Sequence, residues 1–275
     1  MTDQLSPIII AVAPNGARKQ KTDHPALPLT SVELAQTAVA CRDAGASMIH
    51  LHVRDAQGNH SLDVEAYREA TSAVHRAVGS EMIIQVTTEA VGIYTVDQQM
   101  QVVRELKPEA VSLAIREVCA GAEDESRAAE FFAWLWRESI SPQFILYSVG
   151  DVLRFEALRR RGVIPGDLVS VLYVLGRYSG TGASSAAELL PMLSATESQV
   201  VWSVCAFGAT EANCMLAAAE QGGHARVGFE NNLQLANGEV AIDNAALVSA
   251  LAEGLPSKGR KPASGAQARL LLGMY

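Results

Sequence analysis

His50-Leu51-His52-Val53-Arg54-Asp55 closes an apolar run, Ala46-Ser47-Met48-Ile49, and leads into the turn signal Ala56-Gln57-Gly58-Asn59. Successive side chains on a strand alternate between faces, so a strand ending here puts His50, His52 and Arg54 on one side. Two neutral imidazoles on one face can share a divalent metal ion, and zinc suits a ligand set of His and carboxylate. Two histidines can also simply cap a strand, because H-x-H alone is a short pattern. The choice turns on whether the chain supplies a third ligand and a pocket.

The whole chain sets the frame for these residues. Its 275 residues, 49% hydrophobic, 19% charged and 5% aromatic, suit one barrel-sized domain or two small ones and argue against disorder. A net charge of -8 and a pI near 5.3, with no offsetting basic block, argue against nucleic acid as a partner. No apolar run approaches the roughly 18 residues that a membrane span needs. Met1-Thr2-Asp3-Gln4 lacks the charged start of a signal peptide, so a cytoplasmic protein is expected. Cys41, Cys119, Cys205 and Cys214 show no CxxC spacing and read as reduced core thiols.

Strand and helix signals alternate along the chain. Strands are expected at residues 7–13, at the histidine stretch, and at 81–88, 108–113, 141–147, 168–175, 199–204 and 222–229. Helices follow them. One begins at Thr30-Ser31-Val32-Glu33, a capping box, and ends at Gly45; a second spans 63–78, with Ala66, Ala70, Ala73, Val74 and Ala77 on its inner side. Another capping box opens the next at Thr95, and further helices are expected at 124–138, 151–161, 184–193, 210–219, 243–251 and 266–272. Eight alternations without a linker predict a single-domain (β/α)8 TIM barrel over residues 1–275, with a doubly wound open sheet as the alternative.

In such a barrel the site lies at the C-terminal strand ends, where polar residues indeed gather. Asn15 and Arg18 follow the first strand, Thr87 and Glu89 the third, and Ser112 and Arg116 the fourth. The eighth strand leads through Arg226 to Glu230, and barrel closure brings it beside the first and near the second. Glu230 is therefore the candidate third ligand, although alone it could be a solvated loop carboxylate or a helix cap. His, His and Glu with open positions is a catalytic zinc pattern.

Several stretches, in this order, resemble the beta-keto acid cleavage enzyme family. They are Ala13-Pro14-Asn15-Gly16-Ala17-Arg18 with Pro25-Ala26-Leu27-Pro28-Leu29-Thr30, Gly45 through Asp55, Ile84-Gln85-Val86-Thr87-Thr88, and Arg226-Val227-Gly228-Phe229-Glu230-Asn231-Asn232. The resemblance implies a zinc-dependent, usually oligomeric TIM barrel, here a homo-oligomer as tetramer or dimer, that takes a beta-keto acid and acetyl-CoA to acetoacetate and a new acyl-CoA. It implies His50, His52 and Glu230 as metal ligands, Thr87 and Ser112 as hydrogen-bonding partners of substrate, and Arg226 as the active-site arginine. A metal in that set would act as a Lewis acid on an enolate in retro-Claisen cleavage, and hydroxyls with a guanidinium suit a carboxylate.

Two positions depart from the family's type enzyme. Asn231 stands among the expected catalytic residues where that enzyme has an aspartate, and an amide cannot take up a proton at neutral pH. Arg18 stands in place of a glutamate that meets the substrate amine, so with Asn15 and Glu89 it is expected to bind substrate and to favour an anionic or polar distal group. Arg18 could equally pair with Glu89 or face solvent. Ile145 and Leu146, replacing a more acidic strand ending, also point away from an amine. Gly180-Thr181-Gly182 could cradle a CoA phosphate, His24 could sit in a lid, and His60, His75 and His224 read as surface or packing residues. The alternatives to CoA-linked cleavage are a metal-dependent lyase or hydrolase acting on a small acid without CoA, and a metal-dependent protein that only binds a small acid.

Overall fold

A computed structural model describes residues 7–177 and 184–274; the Gly180-Thr181-Gly182 loop lies outside them. The strands are β1 (Ile10–Val12), β2 (Met48–Leu51), β3 (Val53–Arg54), β4 (His60–Ser61), β5 (Ile83–Thr87), β6 (Ala110–Ala114), β7 (Ser141–Leu146), β8 (Val169–Leu175), β9 (Val200–Ala206) and β10 (His224–Val227). All but β3 and β4 form a closed parallel barrel in the order β1-β10-β9-β8-β7-β6-β5-β2. The open-sheet alternative is excluded because β1 pairs with β2 on one side and β10 on the other.

The helices are α1 (Ser31–Asp43), α2 (Val64–Val78), α3 (Val96–Leu106), the short α4 (Ile115–Val118), α5 (Glu125–Arg137), α6 (Val149–Arg160), α7 (Leu189–Ala195), α8 (Glu211–Glu220), α9 (Asn244–Gly254) and α10 (Gly265–Leu271). Both expected capping boxes form, Thr30 with Glu33 and Thr95 with Gln98, each satisfying two orphan amide donors at a helix start. Helix α2 buries Tyr67, Ala70, Val74 and Val78. Its inner side is therefore rotated from the alanine stripe expected, because the larger tyrosine and valine side chains bury more apolar surface than methyl groups do.

Strand alternation sorts the interior into layers. Ile10, Ile49, Val86, Phe144 and Val171 point outward into the main core beneath the helices. Inward-facing Ile9, Ala11, Met48, Ile83 and Ala110 fill the N-terminal end of the barrel, where Leu271, Leu272 and Met274 pack against them. Helix α10 can close this end because Gly265 has no side chain: a Cβ there would stand 2.2 Å from the Glu81 carbonyl oxygen. Above the plug the inward residues turn polar, with His50, Gln85, Gln143, Ser170 and Arg226 all buried.

The histidine stretch departs from a single straight strand. Strand β2 stops at Leu51, and Val53–Arg54 instead pairs antiparallel with His60–Ser61 as a small hairpin. Arg54 is thereby turned away from the histidines, and its guanidinium donates to the carbonyls of Gly16, Lys19 and Gly58. Buried carbonyls of the β1 loop need donors, and a guanidinium offers several at once.

Candidate metal centre

His50, His52 and Glu230 meet at the C-terminal end of the barrel. The two Nε2 atoms lie 3.2 Å apart, and Glu230 Oε2 is 3.6 Å from His50 Nε2 and 3.3 Å from His52 Nε2. One atom from each residue falls within 4.8 Å of the others.

The protons on the imidazoles follow from their outer partners. His60 Nε2 lies 2.8 Å from the Glu89 carbonyl oxygen, which can only accept, so His60 donates there and its Nδ1 carries a lone pair. His52 Nδ1, 3.4 Å from that lone pair, must then be the donor, and His52 Nε2 is left bare. His50 Nδ1 lies 2.8 Å from Gln85 Oε1, which leaves its Nε2 bare as well. Burial, then the charge of Arg226, pushes the His50 pKa down to about 3. Burial takes His60 to about 3 also, so both stay neutral at pH 7.

Glu230 completes the set as an anion. Burial works against its charge, yet the Arg226 guanidinium holds its carboxyl well below the usual range. Arg226 Nη2 takes Oε1 at 3.0 Å, while Oε2 is buried with no hydrogen-bond partner. Two lone pairs and one uncompensated carboxylate oxygen thus converge with no proton between them, an arrangement that fits a divalent cation. Glu230 reaches this place because its amide donates to the Ala13 carbonyl at 3.0 Å, and because Gly16, at φ +60, leaves the room that a Cβ 2.6 Å from Glu230 Cγ would fill.

The cluster forms one wall of a solvent-open cavity. Thr87, Ser112 and Arg226 line it beside the histidines, and the Ser112 hydroxyl is buried without a partner. Thr87 Oγ1 accepts from the Glu89 amide at 3.0 Å, which leaves its hydroxyl proton for the cavity. Ala114, Ile145, Val174 and Phe207 make an apolar wall, and Thr88, Glu89, Glu117, Tyr147 and Arg177 complete the lining.

Three other expected site residues stand elsewhere. Asn15 is fully buried behind His52, exchanging hydrogen bonds with its backbone amide and carbonyl, and so fixes the histidine's main chain. Arg18 is largely exposed and pairs with Glu89 at 3.1 Å, outside the cavity lining. Asn231 is buried, outside that lining too, with both side-chain polar atoms unpartnered.

Two histidines differ from the sequence expectation. His60 is no surface or packing residue, since the β3–β4 hairpin carries it under His52. His24, read as a possible lid residue, is buried, with its Nε2 2.9 Å from the Ala241 carbonyl and its ring against Phe229. Sequence patterns did not single out Gln85, Gln143, Glu117, Tyr147, Arg177 or Phe207 as site residues. For Gln85 a signal was available, a lone amide between Ile83-Ile84 and Val86 in a fully buried strand.

Residues 7–274 match the family described as beta-keto acid cleavage enzyme. The chain belongs to that family. It is 29% identical over 272 residues to the 3-keto-5-aminohexanoate cleavage enzyme of Acetoanaerobium sticklandii, covering 97% of this chain and 98% of the relative. It is 28% identical over 274 residues to the 3-oxoadipate:acetyl-CoA acetyltransferase of Cupriavidus necator, covering 98% and 95%. Among solved structures, the ternary complex of ObcA with C4-CoA adduct and oxalate superposes with a TM-score of 0.72 at 17% identity, over 90% of this chain and 68% of that one. That likeness concerns the fold. As a family member the chain is a beta-keto acid cleavage enzyme, and among the described residues no helix is long and apolar enough to cross a membrane.

Proposed function

We propose that this family member is zinc-dependent, with His50, His52 and Glu230 as ligands, and that it converts a beta-keto acid and acetyl-CoA into acetoacetate and a new acyl-CoA. The observation that carries the reading is the convergence of two bare imidazole nitrogens and the unpartnered Glu230 oxygen in the wall of the cavity. The relative named 3-oxoadipate:acetyl-CoA acetyltransferase supports acetyl-CoA as co-substrate. In the net reaction the C2–C3 bond of the keto acid breaks and C2 bonds to the acetyl carbonyl carbon, while sulfur exchanges the acetyl group for the departing acyl group.

A cation at this position supplies Lewis-acid stabilisation of the enolate on which such an exchange depends. The chain's own residues do the rest. Ser112 and Thr87 have hydroxyl protons free to meet the substrate carboxylate, and Arg226 adds a fixed positive charge beside them. Arg226 is kept charged because, against the cost of burial, the Glu230 carboxylate raises its pKa. The apolar wall of Ala114, Ile145, Val174 and Phe207 receives the acyl part and excludes water from it.

The test incubates the purified, zinc-loaded protein with a panel of beta-keto acids, with and without acetyl-CoA. Acetoacetate and a new acyl-CoA are expected only when both substrates are present. Cleavage without acetyl-CoA would overturn the CoA-linked reading in favour of a lyase or hydrolase, and binding without any turnover would make the protein a small-acid binding module.

A further inference from the structure

We propose that Gln85, Gln143 and Ser170 form a directional hydrogen-bond relay inside the barrel that decides whether His50 can bind the metal, which makes Gln143 and Ser170 positioning residues for a centre they do not touch. The proposal rests on the metal reading above. TIM-barrel interiors are ordinarily filled with branched apolar side chains, yet here the layer below the site holds two glutamines and a serine, each more than nine-tenths buried. They are joined in one line: His50 Nδ1 to Gln85 Oε1 at 2.8 Å, Gln85 Nε2 to Gln143 Oε1 at 3.3 Å, and Gln143 Nε2 to Ser170 Oγ at 3.1 Å. The line runs from β2 through β5 and β7 to β8. It passes over β6, whose facing residues in register with the glutamines, Ala110 and Ser112, are small.

The relay has a sense because an amide donates at one end and accepts at the other. In the sense observed, Gln85 presents its oxygen to His50, the imidazole proton sits on Nδ1, and Nε2 is bare toward Glu230 and His52. If Gln85 turned over, its NH2 would face His50 Nδ1, which could accept only with the imidazole proton on Nε2. That proton would occupy the place of the cation. Gln85 cannot turn alone, since its oxygen would then meet Gln143 Oε1, two acceptors face to face in a buried layer. Gln143 must turn with it, and the Ser170 hydroxyl, which can donate or accept, is the terminus that permits either sense. The two glutamines therefore switch together, and metal binding selects the sense that leaves His50 Nε2 bare.

This makes opposite predictions for two substitutions at one position. Gln143→Leu leaves the Gln85 NH2 buried with no acceptor in the metal-binding sense, whereas the other sense satisfies it at His50. Gln143→Glu offers Gln85 an acceptor and holds the metal-binding sense. The metal-free proteins are compared by zinc competition against a chromophoric chelator and by the visible spectrum of the cobalt(II) forms, with thermal unfolding of each metal-free form as the folding control. Gln143→Leu is expected to weaken zinc binding about tenfold and to alter the cobalt spectrum, while Gln143→Glu binds zinc at least as tightly as the unaltered protein with an unchanged spectrum. Ser170→Ala, a milder cut at the far end, is expected to weaken zinc binding in the same direction and serves if the leucine variant does not fold. Zinc binding within about twofold of the unaltered protein in both the leucine and alanine variants, or equal weakening by leucine and glutamate, would overturn the relay. Failure of the unaltered protein to bind zinc would instead overturn the metal reading itself.

Discussion

Arg226 Nη2 stands 3.0 Å from Glu230 Oε1, so the carboxylate is divided between a guanidinium on one oxygen and the two imidazoles on the other. Glu230 is a counter-ion here and, in the proposed centre, also a ligand. Glu230→Gln is expected to leave the barrel folded but to lower zinc content by at least about tenfold, measured by metal analysis after dialysis. Retention of stoichiometric zinc by this variant would remove Glu230 from the ligand set.

His60 accepts from His52 Nδ1 while donating to the Glu89 carbonyl, which holds His52 in the tautomer that leaves Nε2 bare. Outer partners of this kind are worth roughly 10–100-fold in metal affinity. His60→Leu should therefore weaken zinc binding by about that factor, with kcat recovering at saturating zinc. A variant whose zinc affinity is unchanged would return His60 to a packing role.

The cavity wall carries two guanidiniums, Arg177 and Arg226, and Glu89 at its rim is already shared between Arg18 and Arg177 at 3.1 and 3.6 Å. Among the described residues, an ammonium at the distal end of a keto acid finds Glu89 already paired and Glu117 accepting from the Ala90 amide and Gln99 Nε2, and it is repelled by the arginines. Amino-bearing beta-keto acids are expected to show kcat/KM at least about tenfold below neutral or anionic analogues of equal length. The reverse order would show that the exposed Arg18 does not set the charge preference.

Glu211, fully buried at the start of α8, accepts from the Gly228 amide and from Asn232, yet burial pushes its pKa up to about 8. A carboxyl raised in the folded state binds its proton more tightly there than in the unfolded chain. Its contribution is complete below the ordinary carboxyl pKa of 4.5 and is lost as pH rises towards 8. The unfolding midpoint should accordingly fall across that interval, and Glu211→Gln should flatten the slope. An unchanged slope in the variant would assign the pH dependence to other groups.

Gly16 lies at φ +60 against the Glu230 side chain. Gly16→Ala combines a strained backbone with a methyl group in the space that Glu230 occupies, so it should cost about 1–3 kcal/mol of stability and weaken metal binding together. Loss of stability with unchanged zinc affinity would show that Glu230 can move aside.

The sequence by itself determined the barrel and most of the site. Eight apolar runs alternating with capped helices leave few ways to bury every strand on both faces, and barrel closure then places Glu230 beside the histidines. What only the tertiary structure decided concerns contacts that no local pattern encodes. The hairpin after Leu51 withdraws Arg54 and brings in His60; Asn15 and Arg18, polar at a strand end like Thr87, turn out to hold a backbone and a rim carboxylate. The residues that fix the imidazole protons, Gln85 and His60, lie 35 and 8 positions from the histidines they orient. Periodicity reports which face a side chain takes, whereas the partner it meets there depends on the register and stagger of strands remote in sequence.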